Sequence, residues 1–243
     1  MNSVGKSVRG MKREKNEDAI FVSRAGDSPE GLYIVADGMG GHNGGEVASS
    51  EAVRAFTKYI SKNHPAAEKN GELLELMTEA AQFANSVVFE KAGISPELSG
   101  MGTTLTAALI SGRKAYIIHA GDSRLYVFRD GKLRQVTKDH SYVMEMVKLG
   151  EITKEEARVH PKRNIITRAL GTEPGLDIDA LVLNIKKSDV LLLCTDGLNN
   201  MVSDEKIEEI LKKEEDMETK LGELIDTANE KGGYDNISII LIG

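Results

Sequence analysis

The sequence predicts an α+β fold, a four-layer α/β/β/α sandwich in which two antiparallel sheets pack face to face with a helix pair outside each. Three observations predict it. Apolar segments of strand length recur from one end of the 243-residue chain to the other. Two pairs of amphipathic helical segments interrupt them, one early and one late. In the middle, three strand segments follow one another through Ser111-Gly112 and Gly121-Asp122. Such turns are too short for the crossovers that parallel strands need.

In chain order, residues 19–22 and 32–36 read as the first two strands. Residues 45–60 place Val47, Ala48, Ala52, Ala55, Phe56 and Tyr59 three and four apart. Residues 72–92 do the same with Leu73, Leu76, Met77, Ala80, Phe83, Ala84 and Val87. Each has one apolar stripe, as expected of a helix lying on a sheet or on its neighbour. Residues 104–110, 114–120 and 125–129 form the meander, with Asp130-Gly131 as a hairpin turn. Between 137 and 179 the pattern becomes polar and charged, with His160-Pro161 inside it. That stretch is too small for a domain and predicts a flap over one edge of the sandwich. Strands at 182–185 and 190–194, helices at 204–212 and 218–231 and a last strand at 237–242 complete the set. The charged run 212–216 is a solvated turn.

Hydrophobic residues make up 40% and charged residues 28%, which is ordinary for a globular protein and excludes extensive disorder. The length supplies one substantial core and is short for two domains. A net charge of −7 makes nucleic acid a poor partner, as does an aromatic content of 5% with no stacking stripe. Cys194 is the single cysteine and stands in an apolar run, so it reads as a buried thiol and no disulfide framework exists. No signal peptide and no window approaching the ~20 apolar residues of a membrane span is present, which predicts a cytoplasmic protein with no membrane partner. Phosphate-loop, dinucleotide and nucleophile-elbow motifs are absent.

The chemically informative feature is where the aspartates fall. Asp37 ends the run Leu32-Tyr33-Ile34-Val35-Ala36 and precedes Gly38-Met39-Gly40-Gly41-His42; Asp122 follows Gly121, Asp196 ends 190–195, and Asp235 precedes the last strand. One Asp-Gly step is commonly a surface turn. Four carboxylates at strand tips are harder to explain that way, because an unpaired charge at the end of a buried strand is expensive. Two carboxylates about 4 Å apart repel by roughly 4 kcal/mol at an effective dielectric of 20, and a hard divalent cation reverses that term. Cysteine is unavailable and the five histidines are scattered, so oxygen donors suited to Mn²⁺ or Mg²⁺ are indicated. Glycine at 38 lets a backbone carbonyl approach a metal. Two ions bridged by Asp37 would share and activate a water for attack on an anionic centre such as phosphate. Arg13, just before the first strand, offers a fork for phosphoryl oxygens.

These residues belong to a longer series of motifs: Arg13-Glu14-Lys15-Asn16-Glu17-Asp18, Val35-Ala36-Asp37-Gly38-Met39-Gly40-Gly41-His42, Gly102-Thr103-Thr104, Gly121-Asp122-Ser123-Arg124, Asp139-His140-Ser141, Asn164-Ile165-Ile166-Thr167-Arg168-Ala169-Leu170-Gly171, Thr195-Asp196-Gly197-Leu198 and Gly233-Tyr234-Asp235-Asn236. The series closely resembles the metal-dependent serine/threonine protein phosphatases (type 2C, or PPM), in their compact bacterial branch. The resemblance implies one catalytic domain over residues 1–243, with a mobile flap at about 140–176. It implies two tightly bound Mn²⁺ or Mg²⁺ ions and a weaker third. Asp37 would bridge the first two, the Gly38 carbonyl would bind one, and Asp196 and Asp235 would complete the second. Asp122 would share the third with Asp196, and Glu17 would reach the second metal through water. Arg13 would bind the phosphate and Asn236 would lie beside it. Animal enzymes have histidine, proposed as the general acid, where this chain has Met39; His42 is the candidate here.

What the resemblance implies for activity is one-step hydrolysis of phosphoserine and phosphothreonine in proteins, opposing a serine/threonine protein kinase, by a monomer. Two other readings use the same residues. An inactive phosphatase-like binding module should lack one of these aspartates, and all are present. A hydrolase of small phosphate esters or nucleotides is separated from a protein phosphatase only by assay.

Overall fold

In the computed structural model, residues 2–27, 29–40 and 44–243 are described. The chain runs β1 (Ser3–Val8), β2 (Asp18–Val22), β3 (Leu32–Met39), α1 (Gly44–Asn70), α2 (Leu73–Ile94), β4 (Gly102–Thr103), β5 (Leu105–Ser111), β6 (Lys114–Ala120), β7 (Arg124–Arg129), β8 (Lys132–Gln135), α3 (Tyr142–Leu149), α4 (Lys154–Val159), β9 (Asp179–Asn184), β10 (Val190–Cys194), α5 (Asp196–Asn199), α6 (Asp204–Lys212), α7 (Met217–Glu230) and β11 (Ile237–Ile242).

One sheet has the order β1-β11-β10-β7-β8; the other has β2-β3-β5-β6-β9, with β4 paired to the end of β3. Every pairing is antiparallel. Alternation along the strands builds three apolar layers. Leu32, Ile34 and Ala36 of β3 pack with Phe56, Met77 and Ala84 of α1 and α2. Tyr33 and Val35 point the other way, into the layer between the sheets with Leu125, Leu191, Leu193, Ile240 and Ile242. Leu192, Cys194, Ile237 and Ile239 face Ile207, Leu221 and Leu224 of α6 and α7. The four predicted layers are therefore present, and the inner strands read as unbroken apolar runs because both of their faces are buried. No described helix is long and apolar enough to cross a membrane.

The differences from the sequence reading are local. β1 was not expected, because only Val4 and Val8 of its six residues are apolar; it is held by pairing along all of β11. The second helix of the chain's first pair starts where expected, but α1 continues past residue 60 to Asn70, through Pro65, with Ala67 buried in its last turns. Asp130 and Gly131 both have positive φ (52° and 74°), the backbone of a tight two-residue hairpin, and so β7 returns as β8. Segment 137–179 is folded as α3 and α4, the latter opened by a capping box at Thr153 and Glu156; the bridge Ser141↔Ile166 closes the segment on itself and Thr103↔Leu170 ties it to the body.

Candidate metal centre

The loops and strand ends at one end of the sandwich bring Asp18, Asp37, Asp122, Asp196 and Asp235 into mutual electrostatic range. Asp37 is placed by its own backbone: its N–H donates to Thr104 Oγ1 at 2.9 Å and its carbonyl accepts from Thr104 N and Thr103 Oγ1, both at 2.9 Å. Thr104 Oγ1 lies 2.8 Å from Ser123 Oγ, which joins β3 to the loop carrying Asp122. Gly38 donates to the Glu17 carbonyl at 3.2 Å. A Cβ at position 38 would sit 2.0 Å from the Gly45 carbonyl, so only glycine fits between β3, the Glu17 loop and the start of α1.

Asp196 opens α5, its Oδ2 accepting from Asn200 Nδ2 at 2.9 Å. Asp235 Oδ2 accepts from Arg13 Nη2 at 2.7 Å, and Tyr234 O accepts from Arg13 Nε at 3.3 Å. Glu17 is fixed through its N–H, which donates to Asn236 Oδ1 at 2.8 Å.

Burial, followed by the charges of Asp18, Asp196, Asp122 and Asp235, holds the Asp37 carboxyl well above the usual carboxylate range. Burial and the Asp196 and Asp139 charges push Asp122 up to about 8. Asp196 rises to about 6, through burial and Asp235. Burial also raises Glu17, against the pull of Arg13.

Whether a hard cation suits this cluster can be judged from its atoms. Asp18 Oδ1, Asp122 Oδ1 and Asp196 Oδ1 are buried with no hydrogen-bond partner. Buried carboxylate oxygens without donors and several negative charges together form an oxygen donor set of the kind Mn²⁺ and Mg²⁺ take, with the Gly38 carbonyl beside them on β3. The residues fit such an ion. Among the described residues, no three of these side chains converge tightly enough to make a finished cage.

Asp18 is the residue that sequence reasoning missed. Its Oδ2 accepts from Thr195 Oγ1 at 2.8 Å and Ser238 Oγ at 2.6 Å, and burial raises its carboxyl to about 7 despite those bonds. The signal available was its place opposite a strand-ending aspartate, in Glu17-Asp18 at the start of a strand. Asn236, which the resemblance places beside the phosphate, is tied to the backbone of the chain's first loop. It is buried, and its Nδ2 donates to Arg9 O at 2.9 Å and Lys15 O at 2.8 Å, which spends both amide hydrogens on the loop carrying Arg13 and Glu17. It is a positioning residue for that loop. His42 lies outside the described residues. Cys194 is buried with its thiol pushed up to about 12, which removes it as a nucleophile.

Comparison with known proteins places the sequence and the fold. The model of the family "Protein phosphatase 2C" matches residues 5–240. The serine/threonine phosphatase stp of Listeria monocytogenes is 41% identical over 242 residues, covering 100% of this chain and 95% of that protein. The crystal structure of the Mycobacterium tuberculosis serine/threonine phosphatase PstP/Ppp superposes with a TM-score of 0.89 at 38% identity, covering 99% of this chain and 97% of that one. The catalytic domain of PstP in complex with two manganese ions gives a TM-score of 0.86 at 36% identity, over 99% and 96% of the two chains. A family model matched almost end to end, on a fold that gathers its aspartates at one rim, makes this chain a member of the protein phosphatase 2C family of serine/threonine phosphatases.

Proposed function

We propose that the protein hydrolyses phosphoserine and phosphothreonine in other proteins, opposing a serine/threonine protein kinase in the cytoplasm. The observation that carries this reading is the cluster of buried carboxylates with unpartnered oxygens at the sandwich rim, beside the exposed guanidinium of Arg13. The relative that binds two manganese ions supports the assignment of the metal. Asp37, the Gly38 carbonyl, Asp196 and Asp235 would hold two Mn²⁺ or Mg²⁺ ions, with Glu17 reaching one through water and Asp122 sharing a third, weaker ion with Asp196. When bound, such ions lower the pKa of a water and bear charge on phosphoryl oxygens.

The chain's own residues supply the rest. Arg13 grips two phosphoryl oxygens with its planar fork and orients phosphorus for in-line attack by water, opposite the departing seryl or threonyl oxygen. Asp235 and the Tyr234 carbonyl hold that guanidinium at the rim. Asn236 fixes the loop on which Arg13 and Glu17 stand. Asp18 clamps the ends of β10 and β11 through Thr195 and Ser238, next to Asp196 and Asp235. No side chain is phosphorylated, consistent with the buried, protonated Cys194. Residues 1–243 act as one catalytic domain, with 140–176 as its flap.

The test is turnover of a phosphothreonine peptide against free phosphoserine and a nucleotide, with Mn²⁺, Mg²⁺ or chelator. The proposal expects the peptide to be preferred and chelator to abolish its hydrolysis; preference for the nucleotide would overturn it.

A further inference from the structure

A cleft of about 540 Å³ opens from Asp122 and Asp196 and runs between the 140–176 segment and the turn that joins α5 to α6. Its lining holds four aspartates, of which Asp122 and Asp196 are candidate metal ligands and Asp139 and Asp204 flank Arg124. Besides Arg124 it holds Lys154 and Arg158 on α4, Arg163 beyond it, and Lys231 at the end of α7. These last four cations are exposed. Among the described residues none of them makes an ion pair, although Arg158 is near enough to Glu205 to help hold that carboxyl low. The other arginines at this end are spent on carboxylates, Arg124 on Asp139 and Arg168 on Asp177 and Asp179.

Lys154 and Arg158 are four apart on a helix whose start is fixed by the Thr153–Glu156 capping box and whose inner face is anchored by buried Ala157. Like charges at that spacing destabilise a short helix. Lys231 approaches from the body on the opposite side, four residues before Asp235. In a chain of net charge −7, four cations without an ion pair line one concave surface, where low-dielectric walls focus their field. The volume suits a few side chains of a peptide. Because the cleft begins at the candidate metal ligands, an anion in it belongs to the molecule whose phosphate is being hydrolysed.

We propose that this cleft is a subsite for a second negative group on the phosphoprotein substrate, a carboxylate or a second phosphate within a few residues of the reacting phosphoserine or phosphothreonine. The proposal rests on the phosphoprotein phosphatase reading and narrows its substrate class to acidic or multiply phosphorylated segments. Attraction across the cleft is long-range and screened by salt, so the preference is greatest at low ionic strength.

The experiment compares three peptides with the full chain and Mn²⁺: one phosphothreonine in neutral flanks, the same with glutamates in the flanks, and the same with a second phosphoserine. The subsite predicts kcat/KM three- to tenfold higher on at least one charged peptide than on the neutral one, and which peptide gains identifies carboxylate or phosphate as the preferred group. Lys231→Ala and Arg158→Ala should each lower that charged-to-neutral ratio at least threefold, and Lys231→Glu should invert it. A wild-type ratio near one, or a ratio that survives in all three variants, would overturn the subsite while hydrolysis of the neutral peptide still upheld the phosphatase reading. Equal loss on all peptides would also overturn it, assigning these cations to holding the 140–176 segment. Failure to hydrolyse any of the peptides would refute the phosphatase reading itself.

Discussion

Asp18 and Asp37 stand directly opposite each other across β2 and β3, as one antiparallel register pair. Like charges in that position destabilise a sheet. Asp18 is the first residue of its strand, and its Oδ2 is fixed by two hydroxyls while Oδ1 is left without a donor. The pairing is a local conflict at a site, where such conflicts are expected to serve function.

Replacing one member should relieve the conflict and weaken the site together. Asp18→Asn keeps an oxygen for Thr195 and Ser238 but removes a charge. Its thermal midpoint in chelator should rise above the parent's, while Mn²⁺ affinity or turnover falls by about 10–100-fold, as for outer-shell partners of metal ligands. Calorimetric unfolding with and without Mn²⁺ checks both halves; a lower midpoint in chelator with undiminished metal affinity would contradict them.

Asp122 should separate from the other carboxylates. It is buried, its Oδ1 has no partner, and Asp196 is the largest charge acting on it. Asp122→Ala should leave two tightly bound ions and a normal fold, lower turnover and alter its dependence on free Mn²⁺. Superimposable activation curves and equal site numbers in a binding titration would remove Asp122 from metal binding.

Arg13 should behave as a phosphate ligand. Arg13→Ala should raise KM, with excess Mn²⁺ giving no rescue. Arg13→Lys should recover only part of the loss, because an ammonium cannot reproduce the fork. Restoration of parental kinetics by Mn²⁺ alone would assign Arg13 to metal retention, through its bond to Asp235.

The raised carboxyl groups set a pH dependence for the metal-free protein. Asp18 and Asp122 rise to about 7 and about 8 from the ordinary 3.8, so between those values the folded chain binds more protons than the unfolded one. Stability is then full below about pH 4 for these groups and is lost as pH rises through 7 and 8. In chelator the thermal midpoint should fall from pH 5 to pH 8 by several degrees, at roughly 2–4 °C per kcal/mol for a chain of this size. Mn²⁺ should raise the midpoint more at pH 8 than at pH 5. A midpoint in chelator that climbs over this window would show the carboxylates to be compensated by other groups.

The fold is legible in the sequence where burial is two-sided. Leu191 and Leu193 turn to one layer and Leu192 and Cys194 to the other, so β10 reads as an unbroken apolar run. β1 is not legible because its partner strand holds it: Gly5 and Lys6 are exposed and only Val4 is buried. At the site, Asp37, Asp196 and Asp235 announce themselves by sitting at the ends of such runs. Asp18 escapes notice because it begins a strand whose residues are only half-buried. The task of Asn236 is invisible from its neighbours, since it bonds to backbone carbonyls of Arg9 and Lys15 at the other end of the chain.

The central claim is that Asp37 and its neighbours hold divalent ions for phosphoprotein hydrolysis. The most direct measurement is an isothermal titration of Mn²⁺ into the parent and Asp37→Ala, beside turnover of a phosphothreonine peptide by each. The account predicts that the folded Asp37→Ala protein loses tight Mn²⁺ binding and turnover together. A folded variant that binds Mn²⁺ with parental stoichiometry and affinity, or that still turns over the peptide at the parental rate, would contradict it.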